Sequence, residues 1–212
     1  MEKKVNFILN NSLRDSYRYA AKIGKVLLKI LFLMRIENLK NFPEGGVVVI
    51  AEHKSFLDVP VLAFALPKFP RFTPAEKFFY HPLYSPILKW IGAIPVQGKS
   101  SISGLRRIIR VLKEGEIVVI FPQGGINKKT FYRGAFFSAV KAKVPVIVAT
   151  IEGVEKIFPP SEKRIGWSKI KVEFSEPFYP LSYKDASLEK KIFNKKINEW
   201  RINETEYSYS GF

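Results

Sequence analysis

From Gly46 to Ile151 the chain keeps repeating one alternation, a short run of β-branched apolar residues followed by a longer stretch of helical periodicity. Val47 to Ile50, Glu116 to Phe121 and Val144 to Ile151 are the runs. None of them alternates apolar with polar, so each must be covered on both faces. Between them, Val59 to Leu66 and Arg133 to Lys143 read as helices. Ser100 to Leu112 reads as another, with Ile102, Leu105, Ile109 and Leu112 on one face. Arg71 to Ala75 and Ala93 to Gln97 read as shorter strands, and Pro82 to Ile91 as a helix complicated by Pro86. Ile170 to Phe174 alternates like a strand nearer an edge. Asp185 to Arg201 reads as a closing amphipathic helix carrying Leu188, Ile192, Phe193, Ile197 and Trp200. Strands separated by helices predict an α/β domain, a mainly parallel sheet with helices on both faces. In such sheets the ligand sites gather at the carboxyl ends of strands. Three segments fall there: the residues from His53, Gln97 to Lys99, and Pro122 to Gly125.

The first of these carries a spacing with chemical content. His53 ends a strand and Asp58 opens the next helix. On a continuous helix five steps would set their side chains roughly 140° apart. They meet only if the chain reverses between them, which a strand-turn-helix junction allows. A carboxylate holding one imidazole nitrogen leaves the other free as a base. With three Asp and two His among 212 residues, this spacing arises by chance roughly 3% of the time. Asp58 also suits a capping role ahead of Pro60, and pattern alone leaves both roles open.

Composition narrows the rest. Zero Cys excludes a disulfide framework, a thiol nucleophile and thiolate metal sites. Two His and three Asp leave little from which to build a catalytic metal centre, so no metal is expected. A net charge of +16 calls for an anionic partner: a polyanion, an anionic membrane surface or an anionic small substrate. Much of it opens the chain, where Arg14, Arg18, Lys22, Lys25 and Lys29 recur at helical spacing beside an apolar row of Ile23, Val26, Leu27, Ile30, Leu31 and Met34. Val26 to Met34 falls well short of the ~20 residues that span a bilayer, and no small-residue cleavage site follows it. The expected organisation is a basic amphipathic segment over 1–38, an α/β domain over 39–203, and a frayed tail over 204–212. The N-terminal segment fits a helix lying in a lipid headgroup layer, and equally a helix packed on the domain with its charges solvated.

Taken together, the strand ends resemble the glycerolipid acyltransferases, most of all those acting on 1-acylglycerol-3-phosphate. Ala51-Glu52-His53-Lys54-Ser55-Phe56-Leu57-Asp58 resembles the family's His-x4-Asp block, and Gly92-Ala93-Ile94-Pro95-Val96 its Gly-x-Ile-x-Val block. Phe121-Pro122-Gln123-Gly124-Gly125-Ile126-Asn127 is similar to Phe-Pro-Glu-Gly-Thr-Arg-Ser. Arg133-Gly134-Ala135 and Val144-Pro145-Val146 through Gly153 continue the order, so the resemblance spans about residues 36 to 153.

This resemblance implies transfer of a fatty acyl group from an acyl thioester to the free hydroxyl of 1-acylglycerol-3-phosphate. His53 is then the base and Asp58 its orienting partner. It implies no cofactor beyond the co-substrate, an acyl-coenzyme A or acyl carrier protein thioester. It further implies a peripheral or monotopic place on an anionic membrane, at the cytoplasmic face. Gln123, Gly124 and Gly125 would shape the site or donate to the oxyanion. Gln123 and Ile126 replace the family's Glu and Arg, and Gly98 its basic residue, so Lys77, Lys99, Lys128 and Arg133 become the candidates for the acceptor's phosphate. No Gly-x-Ser-x-Gly elbow occurs, which favours direct attack over a covalent intermediate. Phe56, Phe64, Phe78, Phe79, Phe136 and Phe137 are candidates to line an acyl channel. Two rival readings stay open: the same transfer onto another lysolipid or polyol, and a non-catalytic basic module binding membrane or nucleic acid. No nucleic-acid motif is present, so nucleic acid is not expected as a partner.

Overall fold

The structure, a computed structural model, describes residues 19–96, 102–126, 130–131, 134–159, 165–180 and 208–209. The predicted helix from Asp185 to Arg201 lies outside these residues.

A helix over 19–32 (α1) leads into a six-stranded sheet. In chain order its strands are β1 (Arg35–Glu37), β2 (Val47–Ala51), β3 (Pro70–Phe72), β4 (Ile117–Ile120), β6 (Val146–Glu152) and β7 (Lys171–Phe174). Across the sheet they run β1-β7-β6-β2-β4-β3. Neighbours are parallel except β6 and β7, which pair antiparallel. A separate two-residue pairing joins β5 (Thr130–Phe131) to β8 (Ser208–Tyr209). The helices are α2 (Asp58–Ala65), α3 (Tyr84–Trp90), α4 (Ile102–Lys113), α5 (Gly134–Ala142) and the short α6 (Val154–Ile157).

β2 is the centre of the molecule. Hydrogen-bonded to β4 on one side and β6 on the other, it is fully buried from Val47 to Ala51. Its pleat divides the core. Val47, Val49 and Ala51 face a layer with Val61 and Leu62 of α2, while Val48 and Ile50 face Ile108 and Leu112 of α4 and Phe136 and Ala139 of α5. Each such side chain withdrawn from water contributes about 1.5–3 kcal/mol. This two-sided burial is what the unbroken β-branched run demanded.

Three details depart from expectation. Ala93 to Val96 forms no strand. It runs beside the end of β3, with Ile94 N–H bonded to the Phe72 carbonyl (2.8 Å) and Val96 N–H to that of Pro74 (3.1 Å). Pro74 withholds the N–H that would answer the Ile94 carbonyl, so only an isolated bridge between Ala75 and Val96 remains. On α4 the buried ridge is Gly104, Ile108 and Leu112, and Ile102 is exposed. That ridge is turned roughly 80° from the predicted face. Gly104, which periodicity weighs as neutral, has no side chain to hold neighbouring elements off. β7 lies near an edge as its alternation suggests, but outside it stands β1, whose three residues of mixed polarity gave no strand signal. Pro86, by contrast, leaves α3 intact. It is the third residue of the helix, where a missing N–H forfeits no intrahelical bond.

Candidate active site

The carboxyl ends of β2, β3, β4 and β6 open on one edge of the sheet, since these four strands are parallel. After Ala51 the chain leaves β2, turns over residues 52–57 and enters α2 at Asp58. Asp58 is completely buried. One of its oxygens, Oδ2, accepts three hydrogen bonds: from the backbone N–H of Lys54 (2.7 Å), from that of Ser55 (2.9 Å), and from His53 Nδ1 (2.9 Å). Its other oxygen is buried without a partner. Leu57, at the N-cap, makes no side-chain cap. Asp58 therefore holds the preceding turn and not the helix it begins. The reversal that the spacing required is built by the residue that binds the imidazole.

This geometry sets the tautomer. An ionised carboxylate only accepts, so His53 Nδ1 carries a proton, and in the neutral ring the lone pair falls to Nε2. The ring lies nearly flat on Phe121, with centroids 4.3 Å apart and planes inclined by 20°. The His53 backbone N–H donates to Gln123 Oε1. Ser55 is buried; its Oγ donates to the Phe158 carbonyl (3.0 Å) and accepts from Leu57 N–H (3.3 Å). Its hydroxyl is a tether between this loop and the end of α6, with no freedom to act as a nucleophile.

The segment after β4 forms the second wall. Gly124 N–H bonds back to the Phe121 carbonyl (3.1 Å), closing a tight turn in which Gly124 has φ +69°. That is a left-handed conformation, which glycine adopts without strain. Gln123 is buried, Gly124 exposed, and Gly125 between the two. The fold thus gathers His53, Asp58, Gln123, Gly124 and Gly125 at one strand edge, with Gln123 touching the His53 backbone. Lys77 lies on a 3-10 turn (Glu76–Tyr80) after β3, on the same edge, with its ammonium 5.4 Å from the Phe78 ring centre. The neighbouring Glu76 is engaged by the Tyr80 hydroxyl, whose pKa that carboxylate raises. Lys99, Lys128 and Arg133 lie outside the described residues. Of the aromatic candidates, Phe136 is sealed in the core and Phe64 packs against it, whereas Phe56 and Phe78 are exposed. The stacking of Phe121 and the Ser55–Phe158 tether escaped sequence reasoning. Phe121 carried one usable signal, its place at the carboxyl end of a buried strand; the tether spans 103 residues and carried none.

Residues 33–152 match the family model described as Acyltransferase. The chain is 28% identical over 177 residues to the chloroplastic 1-acyl-sn-glycerol-3-phosphate acyltransferase of Arabidopsis thaliana, covering 78% of this chain and 49% of that protein. The corresponding chloroplastic enzyme of Brassica napus is likewise matched over 51% of its length, so the chain spans about half of these plant relatives. Against the 1-acyl-sn-glycerol-3-phosphate acyltransferase of Bacillus subtilis it is 28% identical over 198 residues, covering 90% of this chain and 96% of the other. In fold it is similar to the crystal structure of the 1-acyl-sn-glycerophosphate acyltransferase from Thermotoga maritima. There the TM-score is 0.70 at 19% identity, over 96% of this chain and 90% of that one.

Proposed function

This chain belongs to the acyltransferase family, and we propose that it moves a fatty acyl group from an acyl thioester to the free hydroxyl of 1-acylglycerol-3-phosphate, giving phosphatidic acid. The observation that carries the proposal is the His53–Asp58 pair, 2.9 Å apart at the carboxyl edge of the sheet, with Asp58 engaging Nδ1 and not Nε2. The relatives, named for this acceptor, support its choice.

His53 Nε2 takes the proton of the acceptor hydroxyl as that oxygen attacks the thioester carbonyl. Asp58 stabilises the imidazolium so formed, at a distance fixed beforehand by the two backbone donors it also binds. When the tetrahedral intermediate collapses, the new C–O ester bond is kept, the C–S bond breaks, and the thiolate recovers the proton from His53. Gly124 N–H is already engaged in its turn, which leaves the Gly125 N–H as the donor from this loop to the oxyanion. Lys77, Lys99, Lys128 and Arg133 supply the cations for the acceptor's phosphate. The thioester is carried by coenzyme A or acyl carrier protein, and no further cofactor is called for. The enzyme works as a peripheral protein on the cytoplasmic face of an anionic membrane. Among the described residues no helix is long and apolar enough to cross one.

Gln123 bears on the rival acceptors. Its amide oxygen is turned inward onto the His53 backbone, so its departure from the family's Glu concerns the shape of the loop more than the acceptor. That leaves Ile126 as the main reason to consider another lysolipid or a polyol. The deciding experiment is mass spectrometry of products after incubation with lysophosphatidate, competing lysolipids and mixed thioesters. Phosphatidic acid as the dominant product supports the proposal, exclusive acylation of another acceptor selects the rival, and no thioester consumption sinks both.

A further inference from the structure

α1 has three faces. Taking ~100° per residue, Gly24, Leu28 and Phe32 share the face turned to the body of the protein. Leu28 and Phe32 pack on the core, and at Gly24 a Cβ would fall 2.5 Å from the Phe64 ring of α2, so any side chain there would have to push that ring aside. Ile23, Val26, Leu27, Ile30 and Leu31 are all exposed; Ile30 is 68% exposed. Those are the residues the sequence placed on the apolar face, and it is that face which points outward. The lysines lie between the two faces, and there they border β1.

At that border is a shallow cleft of about 470 Å³ lined by Lys25, Lys29, Met34, Arg35, Ile36, Glu37 and Leu39. Glu37 does not neutralise it, because its carboxylate is bound to Lys171 (3.1 Å), whose pKa is raised by Glu173 and Glu37 together. Among the described residues, neither Lys25, Lys29 nor Arg35 has a carboxylate partner. Partial burial and the nearby Lys29 ammonium pull the pKa of Lys25 down. Three crowded, unpaired cations with apolar walls are the complement of an anion carried on an apolar body.

We infer that the cleft between α1 and β1 binds the phosphate of an anionic bilayer lipid, through Lys25, Lys29 and Arg35, while the exposed row of α1 meets the acyl chains around it. It is not the acceptor's own phosphate subsite. Register sets Arg35 opposite Lys171 and Lys171 opposite Glu152, on the same sheet edge as His53. However, β1 is three strand positions from β2, about 14 Å at the usual spacing. In 1-acylglycerol-3-phosphate the phosphate sits on the carbon adjacent to the one bearing the free hydroxyl, and cannot reach so far. A second lipid docked there holds the catalytic edge against the membrane. The inference deepens the membrane part of the proposed function and is independent of the chemistry at His53.

The test is vesicle co-sedimentation in the His53→Ala background, where no turnover alters the lipid. Phosphatidylcholine vesicles are compared with the same vesicles containing phosphatidylglycerol. The expected result is tighter binding to the anionic vesicles, weakened about fivefold by Lys29→Ala and about fivefold by Arg35→Ala. Arg35→Lys should retain most of the affinity. Lys29 is exposed on a helix, so its variant answers even if the edge strand tolerates no change at Arg35. Lys113→Ala, an exposed cation on α4 across the sheet, should lose little. Equal losses at Lys113 and Lys29 would overturn the inference, since net charge alone would then account for binding. So would equal affinity for the two kinds of vesicle. If soluble glycerol phosphate or coenzyme A displaces the protein at concentrations matching the lipid, the cleft belongs to a free phosphate ester and the lipid assignment falls.

Discussion

The loop after β2 and the loop after β4 stand side by side at the sheet's edge, and they are held in opposite ways. In the first, one buried carboxylate oxygen gathers three N–H donors, and a buried serine ties the turn to α6. In the second, the turn is closed by its own backbone, with Gly124 left-handed and exposed. Among the described residues, the His53 N–H bond to Gln123 and the stacking of His53 on Phe121 join the two loops. His53, the proposed base, is thus held through both its ring and its backbone, whereas Gly124 in the proposed oxyanion loop is exposed. In the proposed reaction the tighter loop is the one that would move the proton.

That contrast can be broken by substitution. His53→Ala should cut transfer by about 10³–10⁴-fold with unchanged thermal unfolding, because the ring lies on the surface of Phe121 and supports no core. Near-normal turnover would end the base assignment. Asp58→Asn should cost about 10²–10³-fold in kcat. Its amide oxygen can still accept the loop's bonds, but it offers the imidazolium no charge and buries an NH2 group. A drop in unfolding temperature without a matching drop in kcat would make Asp58 a turn-builder only. Across the second loop, Gln123→Ala should lower kcat about tenfold through looser placement of His53, and Gln123→Glu should restore it, since a carboxylate also accepts from the His53 N–H. Were Gln123→Ala instead to raise KM for the acceptor alone, the residue would bind substrate and not position the loop. The smallest effect belongs to Ser55→Ala. It should cost about 1 kcal/mol in stability by denaturant titration with turnover within about threefold, and a loss like that of His53→Ala would show the hydroxyl to be chemical after all.

How far the sequence carried depended on the range of the cause. β2 and β4 were legible because burial on both faces leaves a local mark, an unbroken β-branched run. The His53–Asp58 pair was legible as a spacing; of its two readings the structure shows the carboxylate on the ring, and in place of a helix cap Asp58 builds the preceding turn. β1 was missed, since a three-residue edge strand gains its identity from β7, more than a hundred residues away. The ridge of α4 was misjudged because Gly104 adds nothing to a periodicity sum, and the interrupted strand at Ala93–Val96 followed from a proline, Pro74, standing in the partner segment.

α1 shows where the division lies. By itself the sequence determined that this helix is amphipathic and basic, and that a histidine and an aspartate five residues apart end one strand and begin the next helix. Such properties are set by side-chain chemistry and by repeats of two and 3.6 residues, which travel with the chain. Only the tertiary structure decided that Gly24, Leu28 and Phe32, and not the row of Ile23, Val26, Leu27, Ile30 and Leu31, face inward, and that Arg35 meets the lysines across a cleft. It alone decided that Gln123 points back at the catalytic loop. Those outcomes depend on which surfaces arrive opposite one another, and no local periodicity encodes a partner seventy or a hundred residues distant.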